Sequence, residues 1–114
     1  MPRDIESLLD ILHAAEKAMM FVGGKTKEEF YVDIECQFAV VRAIEIIGEA
    51  ARRISEEMVA AHPELPWREM ISMRNHIIHE YDEIDLEIVW DTMQKDIPRL
   101  ISLVKPLVPY DSSS

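Results

Sequence analysis

The chain has few of the residues that interrupt helices or cross-link a fold. It contains three glycines, two of them adjacent at Gly23-Gly24, and a single cysteine, Cys36. One cysteine excludes an intrachain disulfide and fits a reducing cytoplasm, and the apolar neighbours of Cys36 favour a core position over a nucleophile. Long apolar runs are also absent, so no membrane span is predicted, and the acidic residues among the first leucines argue against a signal peptide.

Positive charge is scarce as well. The 12 lysines and arginines are outnumbered by 22 aspartates and glutamates, which gives a formal net charge of −10. Such a chain is not expected to bind DNA or other polyanions nonspecifically, so any contact with RNA requires a local basic patch. The length of 114 residues fits one domain, predicted at 1–110 and followed by a frayed tail at 111–114.

The fold class predicted from the sequence pattern is all-α. No stretch shows the strict alternation of a half-buried strand, and apolar residues recur at helical spacing almost throughout. We therefore expect a compact antiparallel bundle of about five helices. The expected boundaries are a first helix over Asp4 to Phe21 ended by Gly23, a Thr26/Glu29 capping box, a break over 63–66 before a helix from Trp67, an Asp85 N-cap, and a kink or division of the last helix at Pro98.

The third predicted helix, from about Ile34 to Ser55 or a little beyond, carries a wide apolar arc. On a helical wheel this arc spans about 200°, which predicts burial on two sides, against the domain core and against a second subunit. The opposite stripe is charged and consists of Arg42, Glu45, Glu49, Arg52 and Arg53. We interpret this stripe as a solvated face with ion pairs such as Glu49–Arg53. A sharper hypothesis is that Glu45 or Glu49 reaches the fourth helix and orients Arg74 or a histidine there.

The fourth helix carries the candidate site, in residues 73–81. RNA cleavage without a metal requires that the 2′-hydroxyl lose a proton, that the leaving 5′-oxygen gain one, and that the crowded phosphate be stabilised. A histidine such as His79 can move protons near neutral pH, and Arg74 can bind two phosphate oxygens at once. The amide of Asn75 can orient the phosphate or the histidine. No metal is expected between His76 and His79, because their i,i+3 spacing is not that of a zinc helix and no third ligand suggests itself.

The helical wheel separates these residues. Arg74 and Tyr81 lie on one side, whereas His79 is about 140° from Arg74 on an ideal helix and shares a face with Asn75. Arg74 and His79 therefore converge only if the helix loosens, the arginine wraps around it, or two chains build the site together. Spacing alone favours a structural role, in which Arg74 pairs with a carboxylate such as Glu49. In that role His79 caps a helix end and Tyr81 packs at a corner.

A family resemblance favours a catalytic role for these residues over the structural one. The stretch Arg74-Asn75-x-x-x-His79-x-Tyr81 resembles the Arg-x-x-x-x-His-x-Tyr motif of HepT-like proteins, a branch of the HEPN superfamily. The resemblance covers nearly the whole chain in the family's order and spacing, through Ile46-Ile47-Gly48-Glu49-Ala50-Ala51, Pro66-Trp67-Arg68, Met73-Arg74-Asn75 and Asp85-Leu86-Glu87-Ile88-Val89-Trp90. It implies a HEPN-like helical bundle that forms a homodimer, with a cleft near the dimer interface.

The same resemblance implies a metal-independent endoribonuclease, without a cofactor, that is toxic when unrestrained. Carried over onto this chain, the catalytic residues are Arg74 and His79. Asn75 has a supporting role in the motif, and the charged stripe adds Glu49 as a second supporting residue. The family's usual partner is an MntA-type nucleotidyltransferase antitoxin, which attaches AMP to the motif tyrosine, here Tyr81. A bulky anionic adenylate two residues from His79 would block the cleft and repel RNA phosphate.

Two other functions remain open at this point. The chain could be a non-catalytic helical dimer that docks a nucleotidyltransferase, with the motif as its docking and modification surface. Nuclease activity of protein with unmodified Tyr81 separates this function from a ribonuclease. The chain could also be a purely structural helical protein whose charged motif only joins helices. In that case Arg74→Ala lowers the melting temperature without any effect on RNA.

Overall fold

The computed structural model describes residues 3–77 and 83–109, and every regular element within those ranges is helical. The predicted all-α class is therefore confirmed. The helices are α1 (Asp4–Val22), α2 (Lys27–Val32), α3 (Ile34–Arg52), α4 (Glu56–Ala61), α5 (Trp67–Ile77), α6 (Leu86–Asp91) and α7 (Ile97–Val104), with a π-helical turn over Thr92–Asp96 and a 3₁₀ turn over Lys105–Leu107. In the described part of the chain, no helix has the length and apolar character needed to cross a membrane. The predicted tail at 111–114 lies outside the described residues.

The predicted capping residues lie at the helix ends that the sequence assigns to them. Gly23 follows α1 with a φ of 54°, a left-handed conformation that glycine adopts without the strain of a side chain. At the start of α2, the Glu29 N–H donates to the Thr26 hydroxyl at 3.1 Å and the Thr26 N–H donates to the Glu29 carboxylate at 2.8 Å. Asp85 caps α6 by accepting a backbone N–H of the first turn. These caps fix where three of the helices begin or end.

The end of α3 differs from the prediction. The helix stops at Arg52 rather than near Ser55, and Ser55 starts the separate short helix α4 with an extended backbone at φ −67° and ψ 153°. Ser55 is held there by Asp4, whose carboxylate accepts the Ser55 N–H at 2.9 Å and its hydroxyl at 2.6 Å. The Ser55 hydroxyl in turn caps α4 by accepting the Met58 N–H at 3.1 Å. This contact spans 51 positions of the chain, so the local apolar pattern did not reveal it.

The sequence predicts a kink or division of the last helix at Pro98, and the structure shows a change of helix type just before that residue. The turn over Thr92–Asp96 is π-helical, and α7 follows directly with Pro98 in its first turn. Proline cannot donate a backbone hydrogen bond and its ring crowds the preceding turn, so a widened turn accommodates it without breaking the helix. The inner face stays continuous, because Val89, Met93, Ile97 and Leu100 are all buried.

The wide apolar arc of α3 is covered within one chain. Helix α1 packs on one part of α3 and on α7, while α5 packs on another part of α3. The buried residues of this arc include Val40, Ala43, Ile44, Ile47, Ala50, Ala51 and Ile54. A second subunit is therefore not needed to explain the width of the arc, contrary to the expectation from the helical wheel.

Cys36 is buried, as expected from its apolar neighbours. Its thiol donates to the Phe21 carbonyl at 3.3 Å, which ties the start of α3 to the end of α1. Burial raises the pKa of the Cys36 thiol, with a smaller opposing effect of Lys25. A buried, protonated thiol fits a core residue rather than a nucleophile.

Candidate functional site

The candidate site is built where α3 crosses α5 at Gly48. A Cβ atom added to Gly48 would lie 3.1 Å from the Met70 carbonyl oxygen and 3.5 Å from that of Ile71. The two helix backbones approach this closely only because position 48 has no side chain. The crossing brings the charged stripe of α3, one turn on either side of Gly48, against the surface of α5.

Arg74 on α5 is held by Glu45 on α3. The Arg74 Nε donates to the Glu45 Oε2 at 2.6 Å, a short charge-assisted hydrogen bond. The pair is only partly covered, because the side chains of Arg74 and Glu45 are 46% and 26% exposed. Only Nε is engaged by a described residue, so within the described part of the chain the two terminal nitrogens of the guanidinium are left for a ligand. Glu45 therefore performs the orienting contact that the sequence allowed for either Glu45 or Glu49.

Glu49 has a different partner from the one predicted. Its carboxylate lies 3.5 Å from the Arg42 guanidinium, two turns earlier on α3, and not against Arg74. The expected Glu49–Arg53 pair is also absent from the described ion pairs, because Arg53 binds Asp10 of α1 at 3.2 Å. Glu49 still lines the same pocket as Arg74, so its supporting role stays a prediction.

These residues surround an open pocket of about 220 Å³ between α3 and α5. The lining residues, which we call the arginine pocket, are Glu45, Gly48, Glu49, Arg52, Ile71, Arg74 and Asn75. The guanidiniums and the Asn75 amide supply N–H donors, and Ile71 supplies an apolar wall. Donors of this kind suit the oxygens of a phosphate group, which arginine binds with two parallel hydrogen bonds.

His76 belongs to the other side of α5. Its Nδ1 donates to the Ser72 carbonyl at 3.1 Å, one turn back along its own helix. The ring lines a second pocket, of about 290 Å³, with residues of α6 and the π-helical turn that include Ile88 and Thr92. The structure therefore brings Arg74 and Asn75 together in the arginine pocket and separates His76 from them.

The predicted catalytic histidine and modified tyrosine, His79 and Tyr81, lie outside the described residues. The described positions on either side of residues 78–82 are close to each other, since the Asp85 N–H donates to the Ile77 carbonyl at 2.7 Å. The predicted convergence of Arg74 and His79 accordingly stays a prediction. Across residues 3–77 and 83–109, no group of three or more histidine, cysteine or carboxylate side chains is arranged to hold a metal ion.

The sequence pattern places Arg52 in the charged stripe of α3 but does not indicate that it belongs to the site. The signal that could have found it is Gly48, a glycine inside a strongly helical pattern, which marks a close helix contact. Arg52 lies one turn after Gly48, on the same face as Glu45 and Glu49, so it meets the same groove. That Arg74 and Asn75 line the same pocket follows only from the direction in which α5 crosses α3.

The fold and this pocket define a small all-α protein with a polar, arginine-containing site between two antiparallel helices. The chain belongs to the ribonuclease HepT-like family, whose model matches residues 11–107. It is 45% identical over 93 residues to a protein of Thermococcus cleftensis named "Probable ribonuclease HepT", covering 82% of this chain and 84% of the relative.

Two further relatives carry names that propose RNase activity. One, from Methanocaldococcus jannaschii, is 37% identical over 99 residues, covering 86% of this chain and 91% of the relative. The other, from Caldanaerobacter subterraneus subsp. tengcongensis, is 38% identical over 98 residues, covering 86% of this chain and 88% of the relative. No solved structure matches the chain. The resemblance inferred from the motif is thus confirmed at the level of the family.

Proposed function

We propose that this chain is a metal-independent endoribonuclease in which Arg74 and His79 carry the chemistry. The observation that supports it most directly is the environment of Arg74, whose Nε is bound by Glu45 at 2.6 Å and which lines the arginine pocket together with Asn75. An arginine that only joined two helices would not need to line an open pocket. The RNase names of the relatives support the same class of reaction.

The proposed reaction is an internal transfer at phosphorus. The 2′-oxygen of the RNA attacks the adjacent phosphorus as its proton leaves, the bond from phosphorus to the 5′-oxygen breaks, and the 5′-oxygen takes up a proton. His79 exchanges these protons, and Arg74 stabilises the negative charge that builds up on the phosphoryl oxygens. The products are a 2′,3′-cyclic phosphate and a 5′-hydroxyl, and no water or metal is consumed.

A homodimer is part of the proposal, with the cleft near its interface. Exposed apolar side chains at the start of α3 support it, since Ile34 and Phe38 are 63% and 62% exposed. On the helical wheel these two residues fall on the same face as Glu45 and Arg52. An interface at Ile34 and Phe38 would therefore continue directly into the arginine pocket.

Neutralisation by a nucleotidyltransferase antitoxin is the last part of the proposal. The Tyr81 phenolic oxygen attacks the α-phosphorus of ATP, AMP becomes attached to the tyrosine, pyrophosphate leaves, and the phenolic proton passes to a base. The added phosphodiester carries a negative charge and lies two residues from His79 in the sequence. It would repel the RNA backbone from a chain that is already strongly acidic.

The test is cleavage of single-stranded RNA by protein whose intact mass shows an unmodified Tyr81. Wild-type protein should cut in the presence of EDTA, and Arg74→Ala or His79→Ala should lower the rate at least about 100-fold. Arg99→Ala, which removes an exposed arginine on α7, serves as the charge-matched control and should retain the rate. Loss of cleavage in EDTA, or full activity of both site variants, would contradict the mechanism.

The same preparation distinguishes the non-catalytic alternative. An unmodified wild-type dimer that never cuts RNA would favour a module that only docks a nucleotidyltransferase. Co-expression with any nucleotidyltransferase encoded by a neighbouring gene should add whole AMP units to the intact mass, and the modified peptide should contain Tyr81. An unchanged mass with an active partner would remove the neutralisation step from the proposal.

A further inference from the structure

Arg52 is the cation of the arginine pocket that no described carboxylate neutralises. The two glutamates that line the pocket are engaged by other arginines, Glu45 by Arg74 at 2.6 Å and Glu49 by Arg42 at 3.5 Å. Arg52 lines the pocket from the last turn of α3 and makes no ion pair within the described ranges. Its charge is therefore available to an anion that enters the pocket.

The arginine pocket is less acidic than the protein as a whole. Two arginines, Arg52 and Arg74, balance the two glutamates that line it, and Arg42 pairs with Glu49 from outside the lining. The whole chain has a formal net charge of −10, so a polyanion is repelled by most of the surface. A phosphate chain is repelled least where the local charge is neutral or positive, as it is at the arginine pocket.

The neighbouring Arg53 shows that Arg52 is not simply a helix-end arginine. Arg53 is turned about 100° from Arg52 on the helix, towards α1, and binds Asp10 at 3.2 Å. Both arginines are exposed and both end α3, yet one joins two helices and the other faces the pocket. The chain thus supplies its own control for the loss of one positive charge at this position.

The spacing indicates that Arg52 and Arg74 contact different phosphates. Arg52 lies seven residues after Glu45, the residue that anchors Arg74, which is about 10 Å along the axis of α3. The two helices run antiparallel here, because Gly48 meets Met70 and Ile71 while Glu45 meets the later Arg74. Arg74 and Arg52 therefore stand on either side of the Gly48 crossing along α3, Arg74 at the Glu45 end and Arg52 one turn past Gly48.

We propose that Arg52 binds a phosphate of the RNA next to the one that is cleaved and so positions the strand in the arginine pocket. This inference rests on the proposed ribonuclease function. Because the bound phosphate does not react, Arg52 contributes equally to the complex before and during the reaction. Its loss should then raise KM severalfold and leave kcat nearly unchanged.

The experiment measures binding of a single-stranded 2′-O-methyl RNA oligonucleotide, which lacks the attacking hydroxyl, between about 50 and 200 mM salt. For single strands, each phosphate contact contributes about 0.7 to the slope of log affinity against log salt. Arg52→Ala should lower that slope by about this amount, and Arg52→Lys should restore most of it. Arg53→Ala should keep the wild-type slope, although it loses the same charge and a contact to α1.

The outcomes separate this inference from the proposed function. If wild-type protein cleaves RNA and Arg52→Ala matches Arg53→Ala in slope and KM, the assignment of Arg52 is wrong and the ribonuclease stands. If wild-type protein with unmodified Tyr81 neither binds nor cleaves RNA, both are overturned. If Arg52→Ala lowers kcat with an unchanged KM and slope, Arg52 does not act by holding a second phosphate.

Discussion

At the scale of single residues, Glu45 and Glu49 differ by one helical turn but have different partners. Glu45 accepts from Arg74 and Glu49 from Arg42. Both carboxylates lie beside the proposed path of the RNA, so each repels the substrate, but only Glu45 orients a proposed catalytic residue. This difference predicts that neutralising either glutamate lowers KM, whereas only the loss of Glu45 lowers kcat substantially.

Glu45→Gln should lower kcat and lower KM at the same time. The amide removes the charge that fixes Arg74, which should reduce kcat by about tenfold, since small misplacements of a catalytic group are costly. The lost negative charge also weakens repulsion of the RNA and so lowers KM. Steady-state kinetics with Glu49→Gln as the matched comparison measures both effects, because that variant removes the same charge one turn away.

Glu49→Gln should show the lower KM with a much smaller change in kcat. The melting temperature should change little in either variant, because partly exposed ion pairs contribute between 0 and about 1 kcal/mol. An equal loss of kcat in both variants would mean that Glu45 has no particular role in orienting Arg74. A large fall in the melting temperature of Glu45→Gln would point instead to a structural contact.

At the scale of the elements, the caps were predictable and the crossings were not. Gly23, Thr26 and Asp85 mark helix ends through contacts with residues at most four positions away, so the sequence alone locates them. The end of α3 depends on Asp4, which is far from Ser55 in the sequence, and the local pattern therefore predicted a longer helix. Capping residues close in the sequence therefore determine these helix ends, whereas the early end of α3 depends on a tertiary contact.

The candidate site shows the same limit. Residue types and the family motif pointed to Arg74 and Asn75, and both line the arginine pocket. The partner of Arg74 was ambiguous, because Glu45 and Glu49 lie within about 40° of each other on the helical wheel. The close approach at Gly48 decides between them, and the sequence gives the position of that glycine but not the register of the helix it meets.

Gly48 itself offers a test of the crossing. In Gly48→Ala the new methyl would lie 3.1 Å from the Met70 carbonyl oxygen, a backbone atom that cannot rotate away. Overpacking of this kind typically costs about 1–3 kcal/mol, while alanine in a helix recovers up to about 1 kcal/mol relative to glycine. We expect a net loss near 1 kcal/mol, seen as a melting temperature lower by about 4 °C.

Gly24→Ala is the matched control for this substitution. A Cβ at Gly24 has no neighbour within 4 Å, so the same chemical change should leave the melting temperature unchanged or slightly higher. Equal melting temperatures for the two variants would show that α3 and α5 can separate without loss at the crossing. In that case Gly48 would not set the distance between Glu45 and Arg74.

At the scale of the whole molecule, four of the exposed apolar residues lie together near the start of α3. Val32, Ile34 and Phe38 are 80%, 63% and 62% exposed, and Phe21 joins them because its carbonyl accepts from Cys36 on the first turn of α3. Single exposed apolar residues are ordinary on a protein surface, but a group of them favours an interface. Arg42, Glu45 and the rest of the charged stripe follow on the same face of α3. A dimer formed here would bring the two arginine pockets of the pair near its interface.

Phe38→Glu should therefore convert a dimer into a monomer and lower RNA cleavage along with it. Two carboxylates facing each other across a two-fold interface would be buried without a partner, which opposes association. Ile5→Glu is the control, since Ile5 is also an exposed apolar residue but lies at the start of α1, next to the Asp4–Ser55 contact at the opposite end of α3. Light scattering coupled to size exclusion gives the mass of each variant, and cleavage is measured at the same concentrations. A wild-type monomer that cleaves RNA, or a Phe38→Glu variant that stays dimeric, would show that this apolar end is not the interface on which the proposed cleft depends.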